Sequence, residues 1–320
     1  MKRTPLLAAA AALLAVPPPT RSAPRRGAER EEVRVSATTG ILSDIVMWIA
    51  QDRGYFEREG IKLREVHTGR GTPERMAALL SGAVDVERMG YHTAMNAAAR
   101  KENGFIAVAD AAHYPKGKPA SGYYLVRKDL AGTVRSFSDL RGRRVFAPSP
   151  GISLYLDFLR QAEAAGLGES DFVRKDPQYH LSPSLLLHKE LDVGFFTEPT
   201  AGSMIRQGLA EAFAGTDRPD HDIQVILVFY SKPFARRTKA ARGFMVAYLR
   251  AARDFGRMTQ AQHAEAARRH WELPGADAGI FQSLHIRPDG GVDLPYLMGI
   301  QEYAKKKGLV AEILPPEKLV

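Results

Sequence analysis

The pattern of apolar and polar positions along the chain repeats once. Residues 79–92 read LLSGAVDVERMGYH and residues 186–199 read LLHKELDVGFFTEP. In both, leucines end a helical stripe, a polar turn follows, and an aspartate opens a short apolar strand. The two aspartates, Asp85 and Asp192, lie 107 residues apart and are expected to fix these turns. This distance predicts a duplicated α/β lobe, since the repeats of a solenoid are much shorter.

The rest of the chain alternates between the two periodicities that indicate strands and helices. Strands are predicted over Val33–Ala37, Ile61–Val66, Phe105–Ala109, Gly122–Val126, Arg143–Ala147, Asp192–Phe196 and Ile223–Phe229. Helices are predicted over Ile41–Arg53, from Pro73 with Thr72 as N-cap, and over Ile152–Ala165, Phe234–Phe255, Gln260–Trp271 and Pro295–Lys307. The order predicts an α/β protein of two lobes.

Two apolar runs are candidates for the places where the chain passes between the lobes. The strand Gly122–Val126 is expected to cross outward, and Ile223–Phe229 to return as a buried strand of the first lobe. The first lobe then comprises residues 33–126 and 223–320, and the second comprises residues 127–222. Loops at the carboxyl ends of strands in both lobes would face each other and form a cleft.

The amino terminus has the pattern of a secretory signal. A basic start, Met1-Lys2-Arg3, is followed by the apolar run Leu6–Val16 and by three prolines. This run is too short to span a bilayer. The sequence therefore predicts a signal peptide over residues 1–23, cleaved near Ser22-Ala23, and a charged linker over residues 24–32.

Composition adds three expectations. The chain has no cysteine, so the exported protein would carry no lipidated cysteine and would be free in the periplasm. The formal net charge of +9 falls to about +6 once residues 1–23 are removed, which favours anionic ligands only weakly. The basic clusters are scattered and lack interleaved aromatic residues, so no nucleic-acid partner is expected.

Two strand-to-helix turns are the main candidates for ligand contact. One is Thr38, Thr39, Gly40 and Ile41; the other is Ser149, Gly151, Ile152 and Ser153. Backbone N–H groups and the helix dipole at such a turn favour an anion. An ordinary capped turn is the alternative for either one alone, but their equivalent places in the two lobes favour ligand contact.

Further candidates follow other strands: Arg70, Gly90, Tyr91, His92, Thr197 and Glu198. Arg70 could pair with a sulfonate or carboxylate, or could equally be a solvated loop residue. His92 is expected to orient a helix start, because no second His or Cys stands at metal-ligand spacing. Glu198 could cap a helix or touch ligand. The aromatic residues Tyr91, Trp48, Phe195 and Tyr114 could form an apolar wall or belong to the core.

Four runs resemble a known family when taken in order: IAQDRGYFEREGIKLREV, ALLSGAVDV, DLRGRRVFAPSPG and LDVGFFTEP. They are similar to the solute-binding proteins of nitrate/sulfonate/taurine-type ABC importers, a superfamily that includes pyrimidine-precursor binders related to thiamine biosynthesis. The resemblance covers roughly residues 33–260. It implies a type II periplasmic-binding fold with two hinge crossings, no catalysis and no cofactor.

The resemblance also implies partners. These are a small anionic solute (a sulfonate, nitrate or an aromatic carboxylate) and an ABC permease with its ATPase, with the binding protein itself a monomer. The main alternative is an enzyme on the same scaffold, similar to pyrimidine-precursor synthases or menaquinone-pathway dehydratases. The missing cysteines count against the synthase type, and the export signal counts against both. A sensor ectodomain is disfavoured because no membrane span follows.

Overall fold

The computed structural model describes residues 30–37, 42–69, 71–177, 181–271 and 278–319. The predicted signal peptide and the candidates Thr38, Thr39, Gly40, Ile41 and Arg70 lie outside these residues. Within them, no helix has both the length and the apolar character needed to cross a membrane.

Ten strands and twelve α-helices are assigned in the described ranges. The strands are β1 Glu31–Ala37, β2 Ile61–His67, β3 Val86–Met89, β4 Phe105–Tyr114, β5 Gly122–Arg127, β6 Arg144–Phe146, β7 Val173–Lys175, β8 Val193–Thr197, β9 Ala210–Ala212 and β10 Ile223–Ser231. The helices are α1 Ile45–Asp52, α2 Tyr55–Arg58, α3 Thr72–Leu80, α4 Met95–Ala98, α5 Ser153–Ala164, α6 Ser182–Leu187, α7 Thr200–Arg206, α8 Lys232–Arg236, α9 Thr238–Phe255, α10 Gln260–Arg268, α11 Leu294–Lys306 and α12 Pro316–Leu319.

These strands form two sheets of the same design. The first has the order β2-β1-β3-β10-β4 and the second has the order β7-β6-β8-β5-β9. In each sheet three parallel strands are followed by two that pair antiparallel. The predicted two-lobed α/β architecture is therefore confirmed.

The repeated aspartates occupy equivalent places in the two sheets. Arg34 donates its backbone amide (2.8 Å) and its guanidinium (2.7 Å) to Asp85. Arg144 makes the same two bonds to Asp192, also at 2.8 and 2.7 Å. Each aspartate thus ties its strand to the parallel neighbour, because a carboxylate can accept from a backbone amide and an arginine at once.

The crossings between the lobes differ from the prediction. The expected outbound crossing at Gly122–Val126 is wrong, since β5 pairs with β8 along its length and lies inside the second sheet. A strand flanked by β8 and β9 is buried on both faces, which explains its continuous apolar run. The chain crosses outward in residues 115–121 and returns in residues 213–222, after which β10 lies between β3 and β4 as expected.

Two helix boundaries also differ. The N-cap of α3 is Gly71, so the predicted cap at Thr72 is wrong and Thr72 is the first helical residue. The stripe Phe234–Phe255 forms two helices, α8 and α9, that meet at Arg237 with a ψ of 65°. This break turns the Arg237 side chain towards β1, where it donates to the Glu31 carboxylate at 2.7 Å.

The carboxyl-terminal helices reach both lobes. Helix α9 packs against α1 and α2, and α10 packs against α1, all in the first lobe. Helix α11 packs against β10 of the first sheet but also against α5 of the second lobe. Residues 223–320 therefore do more than complete the first lobe, because α11 joins it to the second.

Candidate functional site

The loops that follow β3 and β6 meet between the lobes. Thr93 donates its amide to the carbonyl of Gly151 at 2.9 Å, and Ser153 donates to the carbonyl of Tyr91 at 3.0 Å. His92 and Ile152 stand opposite each other in this short antiparallel bridge. The structure thus brings together two of the candidate loops identified from the sequence.

Both nitrogens of the His92 imidazole form hydrogen bonds with the backbone. Its Nδ1 accepts the amide of Ala94 at 3.1 Å, and the ring also donates to the carbonyl of Pro150 in the second lobe. Burial lowers the pKa of His92, and the bond to Pro150 offsets this only in part. A neutral ring with its proton on Nε2 satisfies both bonds. His92 therefore orients the start of α4, as expected, and also contacts the opposite lobe.

The remaining residues of the two loops have backbone or packing roles. A Cβ on Gly90 would lie 3.2 Å from the carbonyl oxygen of Val225, so β10 runs close behind it. Ser149 accepts the amide of Ile152 at 3.2 Å, as in an ordinary turn. Tyr91 is fully buried and donates to Asn96 at 2.5 Å.

The four aromatic candidates could form an apolar wall or belong to the core. Tyr91, Trp48, Phe195 and Tyr114 are all buried in the hydrophobic core, so the core interpretation holds for each. Trp48 stacks on His270 with ring centroids 5.5 Å apart, and Phe195 packs edge-on against Tyr124. Aromatic residues in strands and helices next to a cleft more often fill the interior than face the ligand.

A pocket of about 260 Å³ lies between the lobes beside both crossings. Its polar lining comprises Tyr123, Glu198, Arg206, Asp217, Arg218, Gln282 and Ser283. The first three belong to the second lobe, the next two to the return crossing, and the last two to the segment after α10. Glu198 is the candidate from the sequence that lines it, just after Thr197 ends β8.

The Glu198 carboxylate has two donors inside the second lobe. The Tyr123 hydroxyl donates to Oε1 at 3.0 Å, and the amide of Gly202 donates to Oε2 at 3.1 Å. Burial and the adjacent Glu198 charge raise the pKa of Tyr123, so the phenol keeps its proton and serves as a donor. Glu198 therefore caps α7, which is one of the two roles expected from the sequence, and it also lines the pocket.

Both acidic and basic side chains line the pocket. Glu198 and Asp217 are acidic, whereas Arg206 and Arg218 are basic. A guanidinium can hold a sulfonate or carboxylate with two parallel hydrogen bonds. Among the described residues, no group of three His, Cys, Asp or Glu side chains could hold a metal ion.

Most of this lining was not foreseen from the sequence. Arg206 lies on α7 four residues after Gly202, whose amide donates to Glu198 just before the helix, and this helical spacing was a usable signal. Asp217 and Arg218 come from the return crossing, and Gln282 and Ser283 come from the short 3-10 helix Ala278–Ser283, so only the tertiary fold brings them together.

The architecture defines a class: two α/β lobes joined by two crossings, with a polar pocket between them. A family model described as NMT1/THI5 like matches residues 44–256, more than half of the chain. The chain belongs to this family, which confirms the resemblance seen in the four sequence runs. A search of curated protein sequences finds no match.

Solved structures share the fold at low sequence identity. The periplasmic aliphatic sulphonate binding protein SsuA from Escherichia coli is 19% identical, with a TM-score of 0.70 over 91% of this chain and 97% of that one. The periplasmic nitrate-binding protein NrtA from Synechocystis PCC 6803 is 12% identical, with a TM-score of 0.66 over 91% and 84%. The desulfurization enzyme DszB is 14% identical, with a TM-score of 0.62 over 91% and 96%. The fold therefore hosts both binding proteins and an enzyme.

Proposed function

We propose that this protein is the periplasmic solute-binding component of an ABC importer. It captures a small anionic organic solute between its lobes and delivers it to a membrane permease that is driven by its ATPase. The observation that carries the proposal is the polar pocket between the lobes, lined by residues from both lobes and from the return crossing. The predicted signal peptide supports export, and the absence of cysteine supports a form without a lipid anchor.

The proposed mechanism is hinge closure. Residues 115–121 and 213–222 connect the two sheets, so small changes in their backbone angles can swing one lobe against the other. The solute drives closure only if it gains contacts in the closed arrangement that it lacks in the open one. A pocket shared between lobes meets that condition.

The lining favours a particular kind of solute. Arg206 and Arg218 supply two guanidinium groups beside the acidic Glu198 and Asp217, and the polar atoms of Gln282 and Ser283 stand on the opposite lobe. The aromatic candidates are buried elsewhere, which removes the argument for an extended aromatic ligand. We therefore favour a small sulfonate or nitrate over an aromatic carboxylate.

The alternative is an enzyme on this scaffold, favoured by the fold it shares with DszB. Two observations within the described lining count against it. No histidine or cysteine is present, and the Ser283 hydroxyl donates to the backbone carbonyl of Ile280 at 2.8 Å. The Glu198 carboxylate is held by its two donors, and the Tyr123 hydroxyl beside it stays protonated, because burial and the Glu198 charge raise its pKa.

A thermal-shift screen of the purified protein tests the proposal. The panel should hold nitrate, alkyl and aromatic sulfonates, aromatic carboxylates and pyrimidines. A ligand present at about 100 times its Kd stabilises the folded protein by about 2.7 kcal/mol, which raises Tm by about 4 °C for a chain of this size. Arg218→Gln should reduce the shift given by an anionic hit, and Arg135→Gln, an exposed arginine that does not line this pocket, is the matched control. A panel that leaves Tm unchanged throughout would refute this assignment.

A further inference from the structure

Helix α11 packs against helix α5 of the second lobe along most of the length of α5. At the first two turns of α5, the Tyr296 phenol lies beside Ser153, Asp157 and Arg160. At its last turn, Glu163 forms an ion pair with Lys307, the residue that follows α11. The side chains of this pair are about one third exposed, 33% for Lys307 and 29% for Glu163. This end of the contact between the helices is therefore partly open to solvent, whereas Tyr296 at the other end is buried.

On its other side, α11 is attached to the first lobe by buried hydrogen bonds of Gln301. Gln301 is fully buried and accepts from Asn96 at 2.9 Å and from the amide of Leu314 at 2.9 Å. Asn96 in turn accepts from the Tyr91 hydroxyl. Tyr91 belongs to the first-lobe loop that pairs with Gly151–Ser153 of the second lobe. Helix α11 is therefore connected to that loop by hydrogen bonds, and it also packs against α5, which begins at Ser153.

The polar interactions on the two sides of α11 differ in how much free energy it costs to break them. Buried hydrogen bonds are costly to break because their polar groups would be left unsatisfied. An ion pair that is about one third exposed can be replaced by water at little cost. When the lobes separate, α11 should therefore stay with the first lobe and release α5.

We propose that α11 is an interlobe clasp that stabilises the closed arrangement through the Lys307–Glu163 pair. The inference rests on the proposed function only for the idea that the lobes open and close. A clasp that touches no solute shifts the balance of closed and open forms, so weakening it lowers the affinity for every solute by one common factor. This sets it apart from a residue of the pocket, whose loss would affect some solutes more than others.

Distance measurements on the ligand-free protein provide the test. Spin labels are attached at Gln207→Cys in the second lobe and Ala261→Cys in the first, both exposed positions in a chain without other cysteines. Lys307→Glu places two like charges together and should raise the ratio of open to closed protein roughly threefold or more. The charge swap Lys307→Glu with Glu163→Lys should restore the original distribution. Lys305→Glu, at an exposed lysine two residues before Lys307 in the last turn of α11, is the matched control and should change nothing.

The outcomes separate clearly. Unchanged distances in the Lys307→Glu protein would overturn the clasp, and so would a swap that fails to restore them. Lys307→Met, which removes the attraction without adding repulsion, should fall between the wild type and Lys307→Glu. Because no solute takes part, a failed search for a solute would leave this result intact, and a failed clasp would leave the solute assignment intact.

Discussion

Gly151 of the second lobe lies against Thr93 of the first so closely that a Cβ would not fit between them. Such an atom would stand 2.6 Å from Thr93 Oγ1 and 2.9 Å from the His92 ring. Gly151 also has a φ of +88°, a conformation that residues with a Cβ rarely adopt. The bridge between the lobes therefore requires a glycine here for two independent reasons.

Replacing Gly151 with valine should keep the lobes apart. The branched side chain would collide with Thr93 and His92 in the closed arrangement only, so ligand affinity should fall tenfold or more, about 1.4 kcal/mol. Titration calorimetry with the best hit of the screen measures this. Gly166→Val is the matched control, since Gly166 has a φ of +80° but no atom within 4 Å of its Cβ position. Equal loss of affinity in both variants would mean that backbone strain, and not the interlobe contact, is responsible.

Acidic pH should weaken closure through His92. Its folded-state pKa is lowered by burial, so the stabilising neutral form is fully present above the ordinary value of about 6.5. As the pH falls below 6.5 and through the lowered pKa, protonation removes the acceptor for the Ala94 amide, and the contribution is lost. Affinity measured from pH 7 to pH 5 should decline in the wild type. The decline should be smaller in His92→Asn; an identical pH profile in the two proteins would rule His92 out as its cause.

Alkaline pH should act on a different histidine. His221, in the return crossing, bonds to Asp157 of α5 at 3.0 Å and to Asp220 at 2.6 Å, with Arg160 nearby. The bond to Asp157 is the main reason why the pKa of His221 rises to about 8, against the effect of burial. The raised pKa means that this stabilisation is fully present below about pH 6.5 and is lost as the pH rises through 8.

The His221→Gln protein should therefore lose that pH dependence. Wild-type stability should fall by about 1 kcal/mol between pH 6.5 and pH 9, after allowance for screening at a partly exposed site. Urea unfolding at several pH values measures the difference. A wild-type curve that stays flat over this interval would contradict the assigned pairing.

Asp85 and Asp192 should contribute similar amounts to the free energy of unfolding, because they make matching hydrogen bonds. Burial raises the pKa of Asp192, but hydrogen bonds from the side chain and backbone of Arg144 outweigh it and leave that pKa lowered. Asp192→Asn should cost about 2 kcal/mol of unfolding free energy, because charge-assisted bonds to Arg144 are lost. Asp85→Asn should cost a similar amount through Arg34. Denaturant titration compares the two, and a neutral effect at either position would break the symmetry argued here.

These aspartates also show what the sequence could predict. A repeat of apolar spacing with an aspartate at the same point was enough to predict two lobes, because local pattern and strand register repeat together. The loops around His92 and Gly151 were found by the same logic. The crossing at Gly122–Val126 was misplaced because an apolar run signals burial and does not reveal which sheet buries it.

The pocket lining was harder to predict for a physical reason. Asp217 and Arg218 lie in a crossing, and Gln282 and Ser283 end the 3-10 helix Ala278–Ser283, which is too short to show a periodicity in the sequence. Glu198 was found because it opens a helix after a strand, whereas its partner Tyr123 comes from a strand 75 residues away. Long-range pairs of this kind depend on the folded arrangement of the lobes.

Calorimetric titration of the purified protein with the best anionic hit, followed by chemical analysis of the recovered solute, tests the central claim most directly. The account predicts saturable binding of one solute per chain and quantitative recovery of that solute unchanged, with affinity reduced in Gly151→Val. Conversion of the solute during incubation, or binding at more than one site with full affinity retained in Gly151→Val, would contradict it.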